Sequence, residues 1–252
     1  MKKLNLWLVV TILLTACSPT LGGEAVASCR ALVDGMATLK SGMEIPKYFL
    51  TDNPAKQGGE FDVMQYFDVL DHLSMQPGYL LDYVYHYDGM GGYPVLYTYP
   101  TGQPPYITET GLDAGGGDKN YLENVQVDDT PESYFQFALL ALMGNQFYLD
   151  WHANYNDAQI VCDRASVDKI IANLDGSFGQ RIPAASQVRA KLLLNVEPSV
   201  ILGEQTVEVR LVTFTKWGGF YLKMVTISRS APHTIQAIQD KLLVPYNCGV
   251  MF

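Results

Sequence analysis

The chain is predicted to fold as an α+β protein: a mostly antiparallel sheet built from hairpins, with several helices packed on one face. Three observations predict this. Segments of alternating apolar and polar residues are joined by short glycine-rich turns, which is the pattern of antiparallel hairpins. Between them lie segments with apolar residues at helical spacing. Hydrophobic residues make up 48% of the 252, enough for a sizeable core, and the low charged fraction of 17% argues against disorder. No internal repeat, low-complexity tract or long linker divides the chain, so residues 24–252 are expected to form a single globular domain.

Taken in order, residues 24–40 read as a first helix, with Val26, Cys29, Leu32, Val33, Met36 and Leu39 on one side and Gly42 beyond its end. Residues 60–74 read as a second, with Phe61, Met64, Phe67, Leu70 and Leu73 in register before Pro77-Gly78 stops it. The stretch YVYHYDGMGGYPVLY then suggests strands over 79–87 and 93–99 joined by a five-residue turn. Such a turn opposes Tyr87 with Tyr93, Tyr85 with Val95, Tyr83 with Tyr97 and Leu81 with Tyr99. One face becomes almost wholly aromatic, and the other carries Asp82, Val84, His86, Leu96 and Thr98. Tyr85 and Tyr97 are expected to be covered by the apolar helix around Leu139, leaving Tyr87 and Tyr93 more accessible.

A loop-rich region follows from 100 to 130. Thr130-Pro131 then caps and opens a helix, YFQFALLALM, apolar on nearly all sides and so expected at the centre. Residues 147–152 and 158–163 suggest a second hairpin, and 166–174 a short helix. The clearest hairpin is QTVEVRLVTFTKWGGFYLKMVTIS, with Trp217-Gly218 at its tip. Val207, Val209, Leu211, Phe220, Leu222 and Met224 are expected on its buried face, and Glu208, Arg210, Lys223 and Arg229 on its wet face.

The first residues, MKKLNLWLVVTILLTACS, hold two lysines and then an apolar run far shorter than the roughly 20 residues of a membrane-spanning helix. This is the layout of a signal peptide, residues 1–16. Leu14-Thr15-Ala16-Cys17 resembles the lipobox of bacterial lipoproteins. That resemblance covers only the N-terminal segment, and implies that Cys17 becomes the mature N-terminus, is lipidated, and anchors the chain through a short tether, residues 17–23. The implied address is extracytoplasmic and membrane-bound, on the outer membrane or the outer face of the cytoplasmic membrane. Loss of Lys2 and Lys3 with the signal takes the net charge from −9 to −11. A chain this acidic repels nucleic acid and anionic lipid headgroups at long range, which argues against a phosphate-tracking role.

Outside the cytoplasm two of the remaining cysteines, Cys29, Cys162 and Cys248, are expected to pair. Cys162 with Cys248 is favoured, because it would hold a C-terminal tail that otherwise frays. The cysteine spacings match no metal site, and no cofactor motif is present. Ser166-Val167-Asp168-Lys169 has the S-x-x-K spacing of penicillin-binding enzymes but lacks their companion motifs, so Ser166 reads as a helix N-cap. Asp113, Asp118, Asn120 and Glu123 offer oxygens to a hard cation, although a polar surface loop explains them better. Asp68 and His72, one turn apart, read as a solvated ion pair.

Two groups remain as candidate ligand-binding residues: His86, Asp88, Tyr87 and Tyr93 at the first hairpin's turn, and Asp150, Trp151 and His152 further on. With no catalytic motif in view, the expected function is a membrane-anchored, non-catalytic binding or envelope-accessory domain for a small molecule, glycan or protein partner. The alternative is a surface-tethered hydrolase, acting on glycans, with Asp150 and His152, or Asp82 and His86, as acid and base.

Overall fold

The computed structural model describes residues 23–174, 181–246 and 248. The expected signal peptide, Cys17 and the expected tether up to residue 22 lie outside the described residues. The N-terminal half contains β1 (Glu24–Ala25), α1 (Cys29–Leu39), α2 (Tyr66–Val69), β2 (Leu73–Met75), β3 (Tyr79–Tyr87), β4 (Gly91–Pro100), α3 (Glu109–Ala114) and β5 (Val125–Val127). The C-terminal half contains α4 (Pro131–Met143), β6 (Asp150–Trp151), β7 (Gln159–Val161), α5 (Arg164–Asn173), α6 (Ala184–Lys191) and β8 (Ser199–Leu202). It closes with β9 (Thr206–Thr215), β10 (Gly219–Ser228) and β11 (Ile235–Pro245). The fold is α+β, with every strand pair antiparallel.

Three sheets share the work. The largest runs β1-β8-β9-β10-β11, with β7 also paired to β9; β2 pairs β5; and β3, β4 and β6 form the third. Helix α4 lies at the centre, as its all-round apolarity predicts. Thr130 and Ser133 close a capping box at its start, and Pro131 occupies the first turn. Its buried Tyr134, Phe135, Phe137, Leu139 and Leu140 share one core with Val207, Val209, Leu211, Val225 and Ile227 of the large sheet and with Leu81, Tyr83, Tyr85 and Leu96 of the β3–β4 hairpin. The opposite face of the large sheet is also covered. Val212, Phe214 and Phe220 pack there with Val167, Ile170 and Ile171 of α5 and Ala190 of α6, so helices stand on both faces.

Several elements differ from the sequence reading, each for a local reason. The first helix starts only at Cys29, because Glu24 and Ala25 pair with Val200 and Ser199 as an edge strand. The second is cut to a 3-10 turn, Val63–Gln65, and one turn of α2. There the buried Gln136 of α4 accepts the His72 amide proton at 2.9 Å and donates to Asp71, drawing the chain out of helix and into β2. Residues 147–152 and 158–163 do not pair with each other. Asp150 and Trp151 join β4, whereas Gln159–Val161 joins β9 in a different sheet. Asp163, not Ser166, caps α5 and accepts the Ser166 amide at 2.8 Å.

Both long hairpins are shifted by one residue from the expected register. In β3–β4, His86 opposes Tyr93, Tyr85 opposes Pro94 and Tyr83 opposes Leu96. Asp88 Oδ1 accepts the amides of Met90 at 2.8 Å and Gly91 at 2.9 Å, and Gly89 takes φ 80°, so four residues rather than five separate Tyr87 from Gly92. A one-residue slip exchanges the faces of one strand relative to the other. The expected single row of tyrosines therefore splits. Tyr83, Tyr85 and Tyr87 join the main core, while Tyr97 packs with Val84, Leu112, Val95, Tyr99 and Tyr106 on the other side. Tyr85 and Tyr97 are buried and Tyr93 is exposed, as expected, but Tyr85 is covered by Phe49, stacked at 4.3 Å, as well as by α4, and Tyr97 is covered not by α4 but by Leu112 and Tyr106 on the opposite face. In β9–β10, Val225 and Ile227 share the α4-facing side with Val207 and Val209, and Lys223 sits beside Leu211. Phe220, Leu222 and Met224 take the other face.

The disulfide joins Cys29 to Cys162 instead of Cys162 to Cys248. The tail needs no bond, because Cys248 is held as a buried free thiol packed with Tyr246, Val244 and Phe214. Beside the disulfide, Arg30 grips Asp163 through Nε at 2.9 Å and through its terminal nitrogen, fastening the start of α1 to the start of α5.

Two outcomes follow. The oxidised chain beyond Cys17 should show one thiol, at Cys248, reactive only on unfolding. Replacing Cys29 and Cys162 together by Ser should cost about 5 kcal/mol on the chain-entropy model for a separation of 133 residues; three thiols beyond Cys17, or a single thiol at Cys29 or Cys162, by mass spectrometry would contradict the pairing. In denaturant melts, Tyr85→Ala should cost about 3–5 kcal/mol and Tyr93→Ala less than about 1 kcal/mol, since only the first empties a packed site.

Candidate functional site

The structure brings the two predicted residue groups together at one end of the third sheet. Gly91 pairs with Trp151 and Gly92 with Asp150, and the His152 amide donates to the Met90 carbonyl at 3.4 Å. The turn that carries His86, Asp88 and Tyr93 is thus bound edge to edge with the strand that carries Asp150, Trp151 and His152. Little room is left for a side chain at this seam. A Cβ on Gly92 would sit 2.5 Å from the Tyr85 hydroxyl, and one on Gly91 only 3.1 Å from the Ala153 amide nitrogen.

On one flank stands a polar cluster. His86 Nδ1 lies 2.5 Å from Glu109 Oε2 and its Nε2 4.0 Å from Asp88 Oδ2, with the Tyr93 ring 4.8 Å away. Lys119 bridges Glu109 at 3.6 Å and Asp113 at 2.6 Å. A carboxylate on Nδ1 orients the imidazole, so that Nε2 faces the Asp88 carboxylate at the turn. Amide hydrogen bonds, first from Met90 and then from Gly91, hold the Asp88 carboxyl below its ordinary range. Tyr87, named with this group, turns away into the main core.

On the other flank stands an aromatic ridge. Trp151 is 62% exposed, with the His152 ring 5.4 Å away, and Met90 of the adjoining turn and Tyr155 are also exposed. Tyr155 packs at 4.5 Å on Trp217, whose indole donates to the Asn154 carbonyl at 3.2 Å. The tip of the β9–β10 hairpin therefore abuts the 152–155 turn. Trp151 holds φ 36° and ψ −107°, a conformation that costs a non-glycine residue about 1–3 kcal/mol and persists only where its surroundings impose it. Glu109, Lys119, Tyr155 and Trp217 were not among the predicted site residues. Trp217 could have been found from its place at the tip of the clearest hairpin; Glu109 could not, because only the fold carries it to His86.

Other pairings considered from the sequence are not assembled. Asp82 takes Lys56 as its ion-pair partner and lies four strand positions from His86, about 13 Å along the chain, so these two are no acid–base dyad. His72 bonds Asp128 at 2.5 Å rather than Asp68, since the helix that would have joined them ends at Val69. The Asp128 hydrogen bond lifts the His72 pKa. Asp113 is taken by Lys119, and Asp118 accepts the Asn120 amide at 2.8 Å. Among the described residues, no group of three or more His, Cys, Asp or Glu side chains gathers as a metal site.

One further cavity, of about 380 Å³, lies between α1, the end of α4, β7 and α5 and is lined by Arg30, Asp34, Lys40, Asp157, Ser166 and Lys169 among others. Ser166 and Lys169 of the S-x-x-K motif thus share a wall, but Ser166 Oγ is engaged by Asp163 at 3.0 Å. Lys40 donates to the Met143 carbonyl at the end of α4 at 3.2 Å, and burial pulls its pKa down to about 8.

The pH dependence of Lys40 has a definite sign. A cation with a lowered native pKa binds its proton more tightly in the unfolded chain, so its cost to the fold is full below pH 8 and is relieved as pH rises toward 10.5. Between pH 7 and 10 the wild type should gain about 2 kcal/mol relative to Lys40→Met in denaturant melts; a constant difference would show that Lys40 stays well hydrated. Comparison with known protein families, with curated proteins and with solved structures returned no match for this chain.

Proposed function

We propose that the chain is an extracytoplasmic lipoprotein, anchored through lipid on Cys17, that binds a glycan on the aromatic ridge of Met90, Tyr93, Trp151, Tyr155 and Trp217. The observation that carries this reading is Trp151: a large indole held open to solvent in a strained backbone conformation, beside further exposed aromatics. Flat aromatic faces match the apolar C–H faces of sugar rings, and Asp88, Asp150 and His86 at the rim offer hydrogen-bond partners for hydroxyls. No catalytic step is assigned. The Glu109–His86 pair orients an imidazole, but the Asp82–His86 dyad of the hydrolase alternative is not formed, because Asp82 belongs to Lys56.

The anchor is tested by metabolic labelling with a fatty acid in a bacterial host: label should enter the wild type and be lost in Cys17→Ser. The binding surface is tested by Trp151→Gly. Relief of the positive φ should raise stability by about 1 kcal/mol, whereas retention on immobilised envelope polysaccharide should fall at least tenfold. Unchanged retention, or loss of stability, would refute the role given to Trp151.

A further inference from the structure

A second surface lies where the chain enters the fold. Gly23 and Ala25 line an open groove of about 640 Å³ together with Leu193, Leu194, Leu222 and Leu243. Immediately beside it, Val188, Leu192 and Leu194 are 57%, 70% and 81% exposed. Three large aliphatic side chains so open to water within seven residues are a cost that a free surface does not explain. The same segment reverses the charge of the protein. Residues 181–196 contain Arg181, Arg189 and Lys191 and no acidic residue, in a chain whose net charge is −9. Lys191 lies 3.8 Å from Asp168, both about half exposed, and Glu197 and Arg210 stand on the groove wall, where Arg210 is taken by Glu208.

Position names the occupant. From Cys17 to Gly23 the chain can extend no further than about 20 Å, so whatever holds Cys17 lies within that distance of the groove. We infer that the face formed by Val188, Leu192, Leu194 and the Leu222–Leu243 groove rests on the lipid surface carrying the Cys17 anchor, with its leucines at the acyl boundary and Arg189 and Lys191 toward anionic headgroups. This inference rests on the lipoprotein reading for its geometry. Exposed leucines flanked by basic residues are the composition that lies in a membrane interface, and the tether keeps the local lipid concentration high enough for a small patch to engage. The face would fix the orientation of the domain on its membrane.

The test makes the anchor chemically, so that it does not depend on natural acylation. The chain from Cys17 onward, carrying Cys248→Ala, is coupled through the Cys17 thiol to maleimide-lipid vesicles containing phosphatidylglycerol. Leu194→Trp is then compared with its parent, which retains Trp151 and Trp217. With brominated acyl chains, the Leu194→Trp protein should lose at least twice the fraction of its emission that the parent loses, and adding Arg189→Glu and Lys191→Glu should remove most of that excess. Equal quenching in both proteins would overturn the inference. So would self-association of the uncoupled chain that disappears with Leu192→Asn and Leu194→Asn, which would assign the face to a second copy. Failure of fatty-acid labelling at Cys17 would instead remove the natural anchor and leave the quenching result to stand by itself.

Discussion

The carboxylate of Asp88 accepts two successive amides across the β3–β4 turn, and the arrangement of the tyrosines follows from that contact. It closes the connection with four residues, and the register then decides which side of the hairpin each ring occupies. Tyr83 and Tyr85 go to the central core, where Tyr85 stacks on Phe49 and its hydroxyl donates to the Tyr148 carbonyl at 2.6 Å. Tyr93 goes to the opposite face beside His86. The same turn presents Gly91 and Gly92 as an edge for Asp150 and Trp151, so the proposed recognition surface is a consequence of core packing one strand away.

Around this hairpin, the fold is tied by contacts far apart in sequence. Helix α4 fills the space between the hairpin and the large sheet, and its buried Gln136 fixes the backbone at His72. The Cys29–Cys162 bond and the Arg30–Asp163 pair fasten α1 to the far side of the same sheet, where Asp163 also caps α5. One carboxylate thereby serves an ion pair and a helix start at once. The large sheet is covered by α4 on one face and by α5 and α6 on the other, which leaves the long strand β11, largely exposed, at its edge.

What could be read from the sequence was what depends on neighbours in the chain. The α+β class, the central position of YFQFALLALM and the existence of both long hairpins come from local periodicity and capping, as the Thr130–Ser133 box shows. Register was not legible, because it turns on whether a glycine-rich connection holds four residues or five, and nothing in DGMGG states which glycine enters the strand. Helix 60–74 failed because Gln136, more than sixty residues away, competes for its backbone. The disulfide was misassigned for a similar reason: a buried thiol and a bonded one have the same composition, and only packing separates Cys248 from Cys29. Of the candidate site, Trp151 and His86 were visible as residue types, whereas Glu109 and Trp217 come to it from other elements.

The central claim is the hairpin register, and nuclear Overhauser contacts between α-protons test it most directly. The Thr101 amide donates to the Gly78 carbonyl and the Asp88 amide to the Gly91 carbonyl, so Tyr83–Leu96 and Leu81–Thr98 are non-hydrogen-bonded pairs, whose α-carbons approach to about 4.5 Å. Strong α-proton contacts are predicted for Tyr83 with Leu96 and for Leu81 with Thr98. Contacts of Tyr83 with Tyr97 and of Leu81 with Tyr99 in their place would mean a five-residue turn and a single aromatic face, and would contradict the account.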